Sequence, residues 1–139
     1  MRCMEHTMSA QPRILVVDDE PHIVQVISVK LAPAGFNVFE AGDAIEALEL
    51  AEKWVPHLVI TDYVMPEVDG LELCQLMRAR PTLADVPVLV LTGMPLIMPD
   101  PPENEKQVVE VLTKPFSPRE LLLRVQTLLD AVTVKSLAS

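Results

Sequence analysis

Apolar residues along this chain follow two different rhythms. Five short runs are almost continuously apolar and rich in β-branched residues: 13–17, 36–40, 58–62, 86–91 and 108–112. Runs of that length and content read as buried strands. Between them, apolar residues recur at the three-to-four spacing of a single helix face. Ile23, Val26, Ile27 and Leu31 make the first stripe, and Ile45, Leu48, Ala51 and Val55 the second. Leu71, Cys74 and Met77 make the third, and Leu121, Val125, Leu128 and Val132 the last. Strands alternating with helices predict an α/β fold: a parallel sheet covered on both faces and joined by right-handed crossovers.

The turn residues agree with this reading. Pro21 suits the first turn of helix 1, and Pro33-Ala34-Gly35 stops it. Asp43 with Glu46, and Ser117 with Pro118 and Glu120, have the form of helix-capping boxes. One helical slot breaks the pattern. Residues 94–107 contain Pro95, Pro99, Pro101 and Pro102, and a regular helix cannot run through them. A short helix capped by Asp100, with Pro101 in its first turn and Glu103 closing the box, is the expected remnant. The expected organisation is a flexible tail at 1–12, one domain at 13–132 and a short fraying tail at 133–139.

Composition narrows the function classes. The net charge is −9, with no basic stripe to follow a phosphate backbone, so direct nucleic-acid binding is disfavoured. No apolar run approaches the roughly 18 residues that span a bilayer, and residues 1–12 lack a signal-peptide core. Cys3 and Cys74 form no metal-ligand or disulfide framework, and Cys74 reads as a packed core thiol. A reducing cytoplasm is the expected location. His22 and His57 read as surface histidines, and Trp54 as a packing residue.

The chemistry lies where the strands end. The first strand runs into Asp18-Asp19-Glu20, the third ends on Asp62, the fourth on Thr92, and the fifth is followed by Lys114. In an open parallel sheet these positions share one edge, where ligands bind. Carboxylates there suit Mg²⁺, a hard ion that prefers oxygen ligands and needs few carboxylates. A lysine supplies positive charge for an anion, and a hydroxyl supplies a hydrogen bond. Together they make a phosphoryl-transfer site.

At residues 12–131 the chain resembles the receiver domain of two-component response regulators. Val17-Asp18-Asp19-Glu20 is similar to the family's acidic turn, and the stretch from Asp62 through Met65-Pro66 to Asp69-Gly70 to its phosphoacceptor turn. Leu91-Thr92-Gly93 is similar to its hydroxyl position and Lys114-Pro115-Phe116 to its lysine turn. The resemblance implies a three-layer, doubly wound, five-stranded sheet in the order 2-1-3-4-5. It implies that Asp62 accepts a phosphoryl group from a histidine kinase or phosphotransfer protein. Asp19, Asp62 and the backbone carbonyl of Val64 would ligate Mg²⁺, and Asp18 would act through water. Lys114 and Thr92 would bind phosphoryl oxygens, and a cis bond would precede Pro115. Such a protein catalyses its own phosphorylation and dephosphorylation. Its partners are the phosphodonor, a downstream protein and at most a weakly bound second copy.

The chain also departs from the family. The aromatic usual three residues before the lysine is Val111, so the usual rotamer switch cannot operate. The fourth helix falls in the proline-rich 94–107, which is either a mobile loop or a contact surface. The side chains that help set phosphoryl lifetime are Val64 and Met94, neither able to orient water, so slow autodephosphorylation is expected. Three alternatives stay open or are disfavoured. One is a binding module that keeps the fold without phosphorylation. Another is a receiver segment of a larger regulator or hybrid kinase, against the expectation of a stand-alone domain. A Mg²⁺-dependent phosphohydrolase would want a carboxylate where Val64 stands.

Overall fold

The computed structural model describes residues 11–93 and 109–138, with residues 131–138 as helix backbone alone. Five strands form one parallel sheet: β1 (Arg13–Val17), β2 (Asn37–Ala41), β3 (Leu58–Asp62), β4 (Val88–Thr92) and β5 (Val109–Thr113). Their order across the sheet is β2-β1-β3-β4-β5, as the resemblance implied. The described helices are α1 (Pro21–Leu31), α2 (Ala44–Lys53), α3 (Gly70–Arg78) and α4 (Pro118–Ala138). The proline-rich slot at 94–107 and the tail at 1–10 lie outside the described residues.

The interior strands are buried on both faces, which is why they read as unbroken apolar runs. Alternate residues feed two cores. Leu15, Val17, Val59, Val88 and Val90 pack with α2 and α3 on one face. Ile14, Val16, Ile60, Leu89, Leu91 and Leu112 pack with α1 and α4 on the other.

The helix faces turn slightly from the expected stripes. Helix α1 buries Val24, Ile27 and Leu31, and Val26 is left exposed. Helix α2 buries Ala44, Ala47, Leu48 and Ala51, while Ile45 stays exposed. Helix α3 buries Leu73, Cys74 and Met77, with Leu71 only half-buried. Small alanines let α2 sit close on the sheet, and the larger Ile45 is turned outward. Helix α4 carries on to Ala138, through the stretch expected to fray.

Caps close the helices as expected, with one change. Asp43 accepts from Glu46 N–H at 2.8 Å, but the Glu46 carboxylate reaches Gly42 N–H at 2.7 Å and so ties down the residue before the cap. Ser117 Oγ accepts from Glu120 N–H at 3.0 Å. At the base of the sheet, His57 is exposed, as expected of a surface histidine, and it also ties β1 down. Its Nδ1 accepts from Arg13 N–H at 2.9 Å, and Arg13 Nε donates to Val55 O at 2.9 Å. Trp54 stacks on Phe39 with ring centroids 5.5 Å apart and remains half exposed.

Candidate functional site

Because every strand is parallel, their carboxyl ends meet along one edge. Backbone pairing continues one residue past three strands and so fixes the rim. Asp18 N–H donates to Ala41 O at 3.2 Å, Tyr63 N–H to Leu91 O at 2.9 Å, and Lys114 N–H to Thr92 O at 2.7 Å. Asp18 and Lys114 are therefore held by the ladder itself, although they lie beyond β1 and β5. Asp62 ends β3 between them.

The carboxylates of Asp18, Asp19 and Asp62 each place an oxygen within 4.8 Å of the others. Asp18 and Asp62 are buried, and Asp19 is exposed. Lys114 Nζ reaches Asp62 Oδ1 at 2.9 Å, a close ion pair with only a quarter of the lysine side chain exposed. Burial alone would lower the lysine pKa, but its hydrogen bond to Asp62 and the charges of Asp62, Asp18 and Glu20 raise it overall. Lys114 therefore stays a cation at neutral pH.

Asp18 is the strained member. Burial pushes its carboxyl up to about 6, and the charges of Asp62 and Asp19 push the same way; Glu20 N–H and Lys114 oppose them. Asp18 Oδ1 accepts from Glu20 N–H at 2.9 Å. Asp18 Oδ2 is buried with no hydrogen-bond partner among the described residues. An orphaned buried carboxylate oxygen costs free energy and calls for an ion or water. Three carboxylates whose oxygens lie within 4.8 Å of one another fit a hard divalent cation such as Mg²⁺.

Thr92 is buried at the end of β4, beside Thr113 of β5. Val64 follows in the loop after Asp62 and is 71% exposed. The Lys114–Pro115 bond is cis, as the resemblance implied. Val111 occupies a half-buried β5 position opposite Val90. Met94 lies outside the described residues. Cys74 is buried among core residues, and burial pushes its thiol up to about 12, so it is chemically quiet.

Sequence reasoning missed how the chain closes behind Asp62. Thr61 Oγ1 is buried; it donates to Asp62 O at 3.0 Å and lies 3.9 Å from Met65 Sδ. Val68 N–H donates to Pro66 O at 2.7 Å across Glu67, whose φ of 68° puts it in the left-handed region. A Cβ on Gly70 would stand 2.6 Å from Asp62 O, so only glycine fits there. Asp69 and Glu72 form a reciprocal capping box on α3. That Asp-x-x-Glu spacing was visible in the sequence; the close approach of Gly70 to Asp62 was not.

The response regulator receiver domain family matches residues 14–126. The DNA-binding dual master transcriptional regulator RpaA of Synechocystis is 40% identical over 118 residues, which is 85% of this chain and 49% of that protein. The alkaline phosphatase synthesis transcriptional regulatory protein PhoP of Bacillus subtilis is 38% identical over 117 residues, 84% of this chain and 48% of that one. The chain thus spans about half the length of the curated relatives it matches. Among solved structures, chemotaxis protein CheY4 of Vibrio cholerae aligns with a TM-score of 0.73 and 32% identity, over 85% of this chain and 98% of that one. The receiver domain of sensor histidine kinase PA1611 of Pseudomonas aeruginosa, solved with a magnesium ion in its active site cleft, aligns at 0.74 and 27% identity, over 86% and 98%. Family match, strand order and rim geometry agree: this chain belongs to the response regulator receiver domain family.

Proposed function

We propose that this domain is a phosphoacceptor in two-component signalling, with Asp62 the residue that takes the phosphoryl group. The observation that carries this reading is the Lys114–Asp62 pair at 2.9 Å, set against the converging carboxylates of Asp18 and Asp19. A merely structural carboxylate would not share its rim with two others and a lysine.

In the proposed reaction an Asp62 oxygen attacks the phosphorus of a phosphohistidine on a histidine kinase or phosphotransfer protein. The new P–O bond forms as the P–N bond breaks, and its electron pair returns to the donor imidazole. Lys114 moves from the Asp62 carboxylate to a phosphoryl oxygen, and the Thr92 hydroxyl donates to another. Both place positive charge or a donor where the transferring group is most negative. Asp19, Asp62 and the Val64 carbonyl would hold Mg²⁺, with Asp18 acting through water. The bound ion would neutralise charge on the transferring phosphoryl group.

The apolar Val64 side chain stands exposed two residues after Asp62 and offers no hydrogen bond to an incoming water. Slow loss of the phosphoryl group follows. With Val111 on β5, the signal leaves by some route other than an aromatic rotamer on that strand, through contact with a downstream protein. No helix among the described residues is long and apolar enough to cross a membrane.

Beryllium trifluoride, which takes the place of a phosphoryl group on a carboxylate oxygen, tests the site without a kinase. Calorimetry with Mg²⁺ present should show one equivalent bound by the parent and none by Asp62→Asn or Lys114→Ala. Equal binding by Asp62→Asn would remove Asp62 from the acceptor role.

A further inference from the structure

The first turn of α3 does more than begin a helix. Gly70 N–H donates to Tyr63 O at 2.8 Å, which closes the loop after Asp62 onto its own beginning. The bare Cα of Gly70 then rests against the backbone of the phosphoacceptor. A Cβ there would lie 2.6 Å from Asp62 O and 3.2 Å from Tyr63 Cα. Those neighbours are backbone, which cannot swing aside as the end of a side chain can. On its other side the same backbone is tied to β4, through Tyr63 N–H and Leu91 O at 2.9 Å. Beneath it, Thr61 Oγ1 holds Asp62 O at 3.0 Å.

The turn that presses on Asp62 is itself fixed by a reciprocal cap. Asp69 Oδ1 accepts from Glu72 N–H at 2.8 Å, and Glu72 Oε1 accepts from Asp69 N–H at 3.1 Å. Neither residue belongs to the carboxylate cluster or to the Lys114 ion pair. Their route to Asp62 runs through Gly70.

We propose that the Asp69–Glu72 box and Gly70 form a positioning clamp that sets where the Asp62 carboxylate stands against Lys114 and the acidic pair. The clamp rests on the reading of Asp62 as phosphoacceptor. The carboxylate moves with its own Cα, so a backbone shift passes directly to the 2.9 Å contact with Lys114. A methyl group at Gly70 must retreat from 2.6 Å to at least 3.4 Å, the start of ordinary contact, and it moves Asp62 and α3 apart by most of an ångström. Misplacement on the order of 1 Å costs about a hundredfold in a reaction that depends on positioning.

The test uses the whole chain and four variants: Gly70→Ala, Asp69→Ala, Asp69→Ser and Glu72→Gln. Three quantities are read: the maximal rate of phosphorylation by a small acyl phosphate at saturating Mg²⁺, the Mg²⁺ dissociation constant by calorimetry, and the Mg²⁺-free NMR shifts of the Asp62 and Tyr63 amides. The clamp predicts that Gly70→Ala slows phosphorylation about tenfold or more and weakens Mg²⁺ binding several-fold. Asp69→Ala should slow it about threefold, because loss of the cap frees the turn without adding a clash. Asp69→Ser and Glu72→Gln keep the cap and should stay within about twofold of the parent.

A purely structural cap gives a different result. Asp69→Ala would then melt earlier yet keep the parent's rate, Mg²⁺ affinity and amide shifts, and the proposal would be overturned. Should Gly70→Ala fail to fold, the Asp69→Ala and Asp69→Ser pair decides alone. A parent that accepts no phosphoryl group would sink the acceptor reading. The Mg²⁺ constants and the amide shifts would still decide the clamp.

Discussion

Replacing Asp18 with asparagine should make the Mg²⁺-free protein more stable at neutral pH. Asp18 is 2% exposed, and its Oδ2 has no hydrogen-bond partner among the described residues. Its pKa rises from 3.8 to about 6, chiefly through burial and then through the negative charges of Asp62 and Asp19, against the pull of Glu20 N–H and Lys114. The folded state thus holds this proton more tightly than the unfolded state does. Between about pH 4 and pH 6 the folded protein binds more protons, so stability falls as pH rises and the penalty is fully developed above that window. Two units at about 1.36 kcal/mol each set the cost at roughly 2–3 kcal/mol. Asparagine keeps the oxygen that accepts from Glu20 N–H and removes the charge. In a chelator at pH 7.5, Asp18→Asn should gain roughly 2 kcal/mol, or roughly 6–8 °C in Tm for a domain of this size. Thermal unfolding by circular dichroism from pH 4 to pH 8 is the assay. The gain should shrink below pH 6 and nearly vanish at pH 4, where the parent carboxyl is itself protonated. Added Mg²⁺ should raise the parent's Tm more than the variant's, because the ion relieves the same repulsion. Equal Tm values at pH 7.5 would refute the reasoning. So would a gain that does not depend on pH, since it would come from packing and not from charge.

Glu67→Gly should raise stability by up to about 1 kcal/mol in urea denaturation by relieving the left-handed residue, whereas Glu67→Val should lower it by about 1 kcal/mol or more. His57 has its pKa lowered, first by burial and then by the Arg13 charge, so its contribution is present above pH 6.5 and is lost as pH falls below it. His57→Ala should cost roughly 1 kcal/mol at pH 7.5, through the lost acceptor for Arg13 N–H, and progressively less as pH falls below 6.5. The phosphorylated parent should decay slowly, and Val64→Asn should hasten decay about tenfold by holding the attacking water, as read by the loss of phosphorylated mass with time.

How much of this was legible in the sequence depended on which force set each feature. The interior strands were plain, because burial on both faces leaves an unbroken apolar run such as Leu58-Val59-Ile60. The site residues were legible for a related reason. Asp18, Asp62, Thr92 and Lys114 each interrupt an apolar run where a parallel sheet gathers its strand ends. Helix faces were less legible. Ile45 and Leu71 fall on the predicted core stripes, yet Ala44, Ala47 and Leu73 fill those faces, because the spacing between helix and sheet selects for fit as well as for hydrophobicity. Least legible was the ground behind Asp62. The φ of Glu67, the contact of Gly70 and the bond from Thr61 all depend on backbone geometry that no side-chain pattern announces.

The central claim is that Asp62 accepts a phosphoryl group. Intact mass tests it most directly, on the parent and Asp62→Asn incubated with a small acyl phosphate and Mg²⁺. The parent should gain the mass of one phosphoryl group, Asp62→Asn none, and neither should gain it when the ion is chelated. An unmodified parent that still binds Mg²⁺, or an equal gain by Asp62→Asn, would contradict it.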